Sequence, residues 1–338
     1  MTEVVINARA AARVQLSGVE RWAVELAGRL PALRPGAYAV ARPARALAYQ
    51  AGQAWEQVAL PLRARRLGAP LVFNPANLAP LAWRGNVVVI HDAVALSHPE
   101  WFSRAYATWH RRALPAVARR ARRVLTVSRF SRDELAALTG VVADVVPGGV
   151  DERFSPVADA AGARRALGLE RPYVLCVAGE GARKNLGALS EVARVLRERG
   201  VEVVLAGSRR AHHGARAELE GVRRLGYVAD ALLPGLYAGA EAFVLPSRHE
   251  GFGLPCLEAM ACGTAVVATA AGALPETCGE AAVLVDADDL PEAVAGVLGD
   301  GAVRERLEAA GRARAERYSW GETARRIDAI LAAEALRL

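Results

Sequence analysis

At 338 residues, 53% hydrophobic and 23% charged, the chain has the composition of a soluble globular protein and the length for two ordinary domains, each with its own core. No apolar run approaches the ~20 residues that span a bilayer, and the start, MTEVVINARAAARVQ, carries no signal-peptide core, so the expected compartment is the cytoplasm. The net charge of +7 hides an asymmetry: residues 1–150 hold 20 arginines against 9 acidic residues, a balance of +11, while the remainder carries −4.

Two runs, Arg63–Arg66 (RARR) and Arg119–Arg123 (RRARR), concentrate the positive charge. Either the first half meets an anionic partner, such as a membrane surface or a phosphate-bearing acceptor, or the chain is simply arginine-rich on solvated helix faces. Nucleic acid is not expected, because the basic runs are not interleaved with aromatics and no nucleic-acid-binding motif is present. The four cysteines, Cys176, Cys256, Cys262 and Cys278, show no CxxC or metal spacing and read as reduced core residues, so no metal site is expected.

In chain order, strand patterns at Val4–Ala8, Tyr38–Ala41, Leu71–Asn74, Val87–Ile90, Val124–Val127 and Asp144–Val146 alternate with helical patterns near 19–33, 55–67, 103–121 and 130–138. That alternation predicts a parallel sheet with helices on both faces. In the loop after the first strand, Ser17 is placed to cap the next helix and Gly18 leaves room for a ligand at its N-terminus. His91 and Asp92 follow directly on the apolar run Val87–Ile90, at a strand's carboxyl end, where a titratable pair can serve a cleft or simply make a turn. Ser128 and Ser131 are expected to cap the helix that follows them.

The pattern breaks at Pro147-Gly148-Gly149 and resumes with strands near 173–178, 202–207, 223–227, 242–246, 264–268 and 282–285. Two open sheets in tandem imply a cleft between them, with ligands outside the carboxyl ends of the strands. Lys184, in GEGARKNLGAL, is the one lysine beside 42 arginines. It marks either a site that wants a compact point charge or a chance survivor. Asp286-Ala-Asp288 has metal-like spacing but reads as a turn, and the adjacent His212 and His213 cannot share one helix face.

The most informative stretch is Arg248–Gly263, RHEGFGLPCLEAMACG, between the apolar runs Ala242–Leu245 and Ala265–Ala268. It reads as strand, loop, buried helix, strand, with Gly251 and Gly253 loosening the loop and Pro255 in the first helical turn. The free N–H groups at the helix start near Leu254 suit a phosphate. Glu250 precedes this helix and Glu258 lies a turn inside it, so Glu258 requires a hydrogen-bond donor. On spacing alone these acids are core residues or chemistry.

The whole string, continuing EAMACGTAVVA, strongly resembles the signature of the retaining glycosyltransferases of family four, the group 1 glycosyltransferases, and of their mannosyltransferase-like members. SGVERWAVEL, IHDAVALSHPEWFS, VPGGVDERFSP, RKN at residues 183–185 and YSWGETARRIDAIL resemble further segments of that family, so the likeness spans the chain. It implies a GT-B fold: two Rossmann-like doubly wound α/β domains facing across a cleft, an acceptor-side domain over 1–150, a nucleotide-sugar donor domain over 151–318, and a helix over 319–338 that crosses back to the first. It implies transfer of a sugar from a nucleoside diphosphate sugar to a glycan, lipid-linked or small-molecule acceptor, with retention of configuration and without a metal.

By the same likeness His91 contacts the transferred sugar, Arg183 and Lys184 hold the leaving diphosphate, Glu250 holds sugar hydroxyls and Glu258 meets the ribose. Gly18, Gly251, Phe252, Gly253 and Leu254 line the donor, and the backbone near Tyr227 and Val228 meets the base. One departure stands out: many relatives carry a further arginine where this chain has Gly179. A GT-B epimerase or hydrolase, or a silent nucleotide-sugar-binding partner subunit, are the alternatives on sequence alone.

Overall fold

The computed structural model describes residues 2–48, 52–207 and 218–337; His212 and His213 lie outside them. Two compact units emerge: one of Met1–Ser97, Arg104–Gly149 and Trp320–Leu338, the other of His98–Ser103 and Val150–Ser319.

The first unit holds a six-stranded parallel sheet of β1 (Val4–Asn7), β2 (Tyr38–Ala41), β3 (Leu71–Asn74), β4 (Asn86–Val89), β5 (Arg123–Thr126) and β6 (Asp144–Val145), in the order β2-β1-β3-β4-β5-β6. The central strands are short β-branched runs buried on both faces, which is why they read as continuous apolar segments and not as alternation. Val5 pairs with Val72, Asn74 with Val88 and Val88 with Val124, so these side chains share one face of the sheet. Leu60 and Ala64 of the helix Leu60–Arg66 cluster with Val5 and Val72, while Ala113, Leu114 and Val117 of the helix Arg104–Arg120 cluster with Val88 and Val124. Both helices therefore lie in one layer. The last helix, Trp320–Ala335, packs in this unit too, with Trp320 edge-on to Trp22 at 5.4 Å between ring centres.

The segment expected as one helix over 55–67 is interrupted: Trp55–Ala59 is a π-helix that leads into Leu60–Arg66. Pro61 has no N–H to give to the preceding turn, which widens it. The second unit repeats the architecture with β7 (Tyr173–Val177), β8 (Glu202–Ala206), β9 (Val222–Gly226), β10 (Ala242–Leu245), β11 (Val266–Thr269) and β12 (Val283–Val285), in the order β12-β11-β10-β7-β8-β9, all parallel. From β7 the chain winds outward through β8 to β9 and then returns to the other side of β7 to lay down β10. The carboxyl ends of β7 and β10 thus flank the topological switch point, where an open α/β sheet leaves a crevice for a ligand. Asp286 opens a turn, its carbonyl accepting from the Asp289 N–H at 3.1 Å. No described helix is long and apolar enough to cross a membrane.

Candidate functional site

Two loops meet at the switch point of the second unit. After β7 the chain makes a single 3-10 turn, Ala182–Lys184, ended by Asn185 in the left-handed region at φ 49°. After β10 it runs through Ser247 to Gly253. The Arg248 N–H donates to the Arg183 carbonyl at 2.7 Å and ties the two loops together. Side chains complete the junction. The Lys184 ammonium forms a short contact with Glu250 Oε1, and Arg183 Nη1 lies 3.3 Å from Glu250 Oε2 and donates to the His249 carbonyl. Ser247 Oγ donates to Glu250 Oε1 at 2.6 Å, and Thr269 at the end of β11 donates to the Ser247 carbonyl.

Lys184 and Glu250 are 8% and 5% exposed, so this is a charge cluster largely removed from water. Burial by itself would raise the Glu250 pKa, but the charges of Lys184 and Arg183 and the hydrogen bonds from Lys184 and Ser247 outweigh it and draw the carboxyl down to about 2. Burial and the neighbouring Arg183 push Lys184 below the usual lysine range, and the Glu250 carboxylate opposes them. At neutral pH Glu250 is ionised.

The Glu250 backbone is gripped from β11. The Ala273 N–H donates to the Glu250 carbonyl at 2.9 Å, and Gly272, at φ 59°, presses so close that a Cβ there would sit 2.5 Å from that carbonyl oxygen. Gly253 enters the helix Leu254–Ala261 at φ 92°, where a Cβ would lie 2.6 Å from Leu274 Cδ2. Of the two glycines in the loop, Gly253 is the one whose backbone conformation demands it. Phe252 packs edge-on against Tyr318, 5.7 Å between ring centres, and Leu254 is buried at the helix start. Glu258, 4% exposed, accepts from Tyr237 Oη at 3.0 Å, the donor its burial requires. Tyr227 and Val228 follow β9, two strands from β7, with the Tyr227 ring partly exposed and Val228 buried.

In the first unit, His91 stands after β4 and is 7% exposed. Its Nε2 lies 2.8 Å from the Pro75 carbonyl, which accepts only, so Nε2 carries the hydrogen and Nδ1 is left as an acceptor. Burial lowers its pKa against the opposing pull of that hydrogen bond and of Asp92 and Glu20, so the ring is neutral at pH 7. Trp22 meets the ring edge-on at 5.2 Å, Asn77 Oδ1 accepts from the His91 N–H at 2.8 Å, and Ser131 Oγ donates to the His91 carbonyl at 3.0 Å. Ser128 caps its helix by accepting from the Ser131 N–H at 3.0 Å; the Ser131 hydroxyl, expected to share that task, lies in the first turn and donates to the His91 carbonyl. Gly18 is the first residue of the helix Gly18–Leu33, and a Cβ built on it meets nothing within 4 Å, so the space over that N-terminus is open. Glu20 bonds back to the Ser17 N–H at 3.0 Å and pairs with Arg13 at 2.5 Å, holding the loop.

The supporting residues Ser247, Thr269, Gly272, Tyr237 and Asn77 were not singled out by sequence. Ser247, three residues before Glu250 and just past β10, carried the one signal that could have found it. Among the described residues no group of three or more His, Cys, Asp or Glu side chains is placed to hold a metal ion.

With this geometry in hand, comparison with known proteins gives a consistent picture. Residues 171–300 match the family model described as Glycosyl transferases group 1. The chain is 32% identical over 256 residues to O-antigen chain mannosyltransferase B of Escherichia coli, covering 69% of this chain and 66% of that protein. It is 33% identical to the GDP-mannose-dependent alpha-(1-6)-phosphatidylinositol monomannoside mannosyltransferase of Mycolicibacterium smegmatis, covering 67% of this chain and 64% of that one. The chain therefore spans just under two thirds of the length of these relatives. Its fold is similar to that of sucrose-phosphate synthase from Thermosynechococcus elongatus (TM-score 0.77, 20% identity, 98% of both chains) and of HepE from Anabaena solved with UDP and glucose (TM-score 0.70, 19% identity, 98% and 100%).

Proposed function

The chain belongs to the group 1 glycosyl transferases and has the GT-B fold, and from that premise we propose that it moves a hexose from a nucleoside diphosphate sugar to a hydroxyl of a glycan, lipid-linked or small-molecule acceptor, with retention of anomeric configuration. The observation that carries this reading is the Arg183–Lys184–Glu250 cluster at the switch point of the second sheet, with Lys184 and Glu250 buried and Arg183 half-buried. Departure of a nucleoside diphosphate deposits negative charge on a phosphate oxygen, and preorganised cations in a site shielded from water stabilise that charge most effectively. Lys184 and Arg183 fill that role, aided by the start of the helix at Gly253 and Leu254.

On this reading the diphosphate takes over Lys184 and Arg183 as partners, while Glu250 receives hydrogen bonds from sugar hydroxyls. Glu258, already satisfied by Tyr237, takes the ribose hydroxyls, and the backbone at Tyr227 and Val228 meets the base. His91 offers neutral Nδ1 as an acceptor for a hydroxyl of the transferred sugar. Glu250, the one carboxylate of the cluster, is engaged by the sugar hydroxyls on this reading and no second carboxylate stands in the cluster as a covalent nucleophile, so the acceptor attacks from the face the diphosphate leaves. Side-chain cations do the work of charge neutralisation, and transfer proceeds without a metal.

The relatives' names leave the base open, since one is GDP-mannose-dependent and one solved neighbour holds UDP and glucose. The experiment is release of nucleoside diphosphate from UDP-, GDP- and dTDP-hexoses, with and without candidate acceptors, in the presence of a chelator. Acceptor-dependent release, with the product's anomeric configuration matching the donor's, is the expected result. Acceptor-independent release would make the protein a hydrolase, tight binding without turnover a partner subunit, and chelator sensitivity would remove the metal-free step.

A further inference from the structure

The charge asymmetry along the chain becomes a surface in the first unit. The helices Leu60–Arg66 and Arg104–Arg120 lie side by side in sequence order on one face of the first sheet, packed through Leu60, Ala64, Ala113, Leu114 and Val117. Most of what they turn outward is basic. Arg63, Arg65 and Arg66 on the first, with Arg104, Arg111, Arg112, Arg119 and Arg120 on the second, are all exposed. None of these eight makes an ion pair among the described residues, and only Arg65 has an aromatic neighbour, Trp83, at 5.9 Å. The helix Arg104–Arg120 contains no acidic residue, and Glu56, the one acid of residues 52–66, is 2% exposed and spent on Arg9.

In the second unit several cations have an acid nearby, Arg153 with Asp230, Arg223 with Glu202, Arg224 with Glu180, and Arg304 with Glu241 and Glu308, while others such as Arg165 and Arg306 make no ion pair among the described residues. What sets the two-helix layer apart is eight exposed arginines without an ion pair on two helices that offer no exposed acid. The same layer also exposes apolar side chains. Val58 is 61% exposed, Leu62 45% and Trp109 39%, the last standing between Arg104 and Arg112 in sequence on its helix. Val58 stands in the π-turn and Leu62 in the helix that follows it.

We propose that this two-helix layer docks the protein on a membrane surface rich in anionic lipid. The arginines meet lipid phosphates, and Trp109, Val58 and Leu62 sit at headgroup depth, where an indole with one wet edge is favoured. A soluble polyanion such as nucleic acid accounts for the arginines and leaves the exposed aliphatic pair without a role. The proposal concerns attachment and does not depend on the reaction proposed for the second unit.

The test is sedimentation of the full chain with vesicles of phosphatidylcholine alone and of phosphatidylcholine mixed with phosphatidylglycerol, at low salt. Binding to the mixed vesicles only, weakening as salt screens the charges, is expected. Each arginine removed should lower the partition coefficient about fivefold, and the triple variant Arg104→Gln/Arg111→Gln/Arg112→Gln roughly a hundredfold. The matching triple lysine variant should bind like the parent, which separates lost charge from lost folding. Substituting Arg165, Arg171 and Arg306 of the second unit by Gln should change nothing. Equal binding to neutral vesicles, an unaffected triple glutamine variant, or a DNA duplex bound as tightly as vesicles of equal charge would each overturn the proposal.

Discussion

Replacing Lys184 by methionine separates two roles that the structure superimposes on one side chain. Lys184→Met keeps most of the volume, removes the charge, and leaves Glu250 buried with Arg183 and Ser247 as its remaining partners. The carboxyl is held near 2 against an ordinary 4.5, a difference that corresponds to on the order of 3 kcal/mol of favourable environment. Lys184 is its largest favourable contributor. Losing it should therefore cost about 2–3 kcal/mol, at the lower edge of what is seen when one partner of a buried pair is removed. For a unit of this size that lowers Tm by about 6–10 °C. In an otherwise Glu250→Gln protein the carboxylate is gone, so the same lysine change should cost little stability. Catalysis should respond differently. If Lys184 acts on the departing diphosphate, turnover falls roughly 100- to 1000-fold in both backgrounds, as when one preorganised donor is removed from a charged transition state. The assay is nucleoside diphosphate release beside thermal unfolding of all four proteins. Lysine loss that becomes harmless to turnover once Glu250 is glutamine would refute the reasoning, because it would make Lys184 a structural counter-ion and nothing more.

The pH dependence of stability has a defined sign: a carboxyl whose folded pKa lies below its ordinary value contributes stability above pH 4.5 that is lost as pH falls towards 2. The acid limb of an unfolding curve should therefore flatten in Glu250→Gln, and an unchanged limb would contradict the pairing. Gly272→Ala forces a side chain at φ 59° against the Glu250 backbone and should displace the carboxylate. We expect at least a 100-fold loss of turnover with a smaller loss of nucleoside diphosphate affinity, read by calorimetry; equal losses would place Gly272 elsewhere in the mechanism. Tyr237→Phe removes one donor from buried Glu258 and should cost about 1–3 kcal/mol of stability and weaken nucleoside diphosphate binding, whereas an unchanged affinity would take Glu258 away from the ribose.

Much of the fold is legible in the sequence because its strands are short, apolar on both faces and bounded by loops, so β7, β10 and β11 stand out as uninterrupted runs such as YVLCV and AFVL. The π-turn at Trp55–Ala59 is not legible, since periodicity registers a helix and cannot see one displaced hydrogen bond. At the site, Lys184 and Glu250 are visible as residue types out of keeping with their surroundings. What holds them is hidden. Ser247, Thr269 and Gly272 act through contacts whose partners lie up to 22 residues away, and short polar or small residues after a strand occur everywhere. Glu258 shows its cost in the sequence but not its donor, because Tyr237 comes from a different helix and a tyrosine there looks like core.

The charge count of the cluster leads to a less obvious expectation. Arg183, Lys184 and Glu250 together carry a formal +1, and for Lys184 and Glu250 burial makes the charge costly. A fold selected for stability alone gains by filling such a place with apolar side chains, which in comparable buried triads is neutral or favourable by about 1–4 kcal/mol. The retained excess of one positive charge offsets half of the charge that a dianionic diphosphate brings. Glu250→Gln raises the cluster to +2 while keeping its shape, so this variant should bind free nucleoside diphosphate more tightly than the parent, on the order of tenfold at an intermediate dielectric. It should at the same time lose turnover, because the amide is a poorer acceptor for sugar hydroxyls. Calorimetric titration with UDP and GDP decides it. Weaker binding of both by Glu250→Gln would mean that Glu250 orders the two cations more than it competes for them, and the diphosphate would then have to be placed away from Lys184.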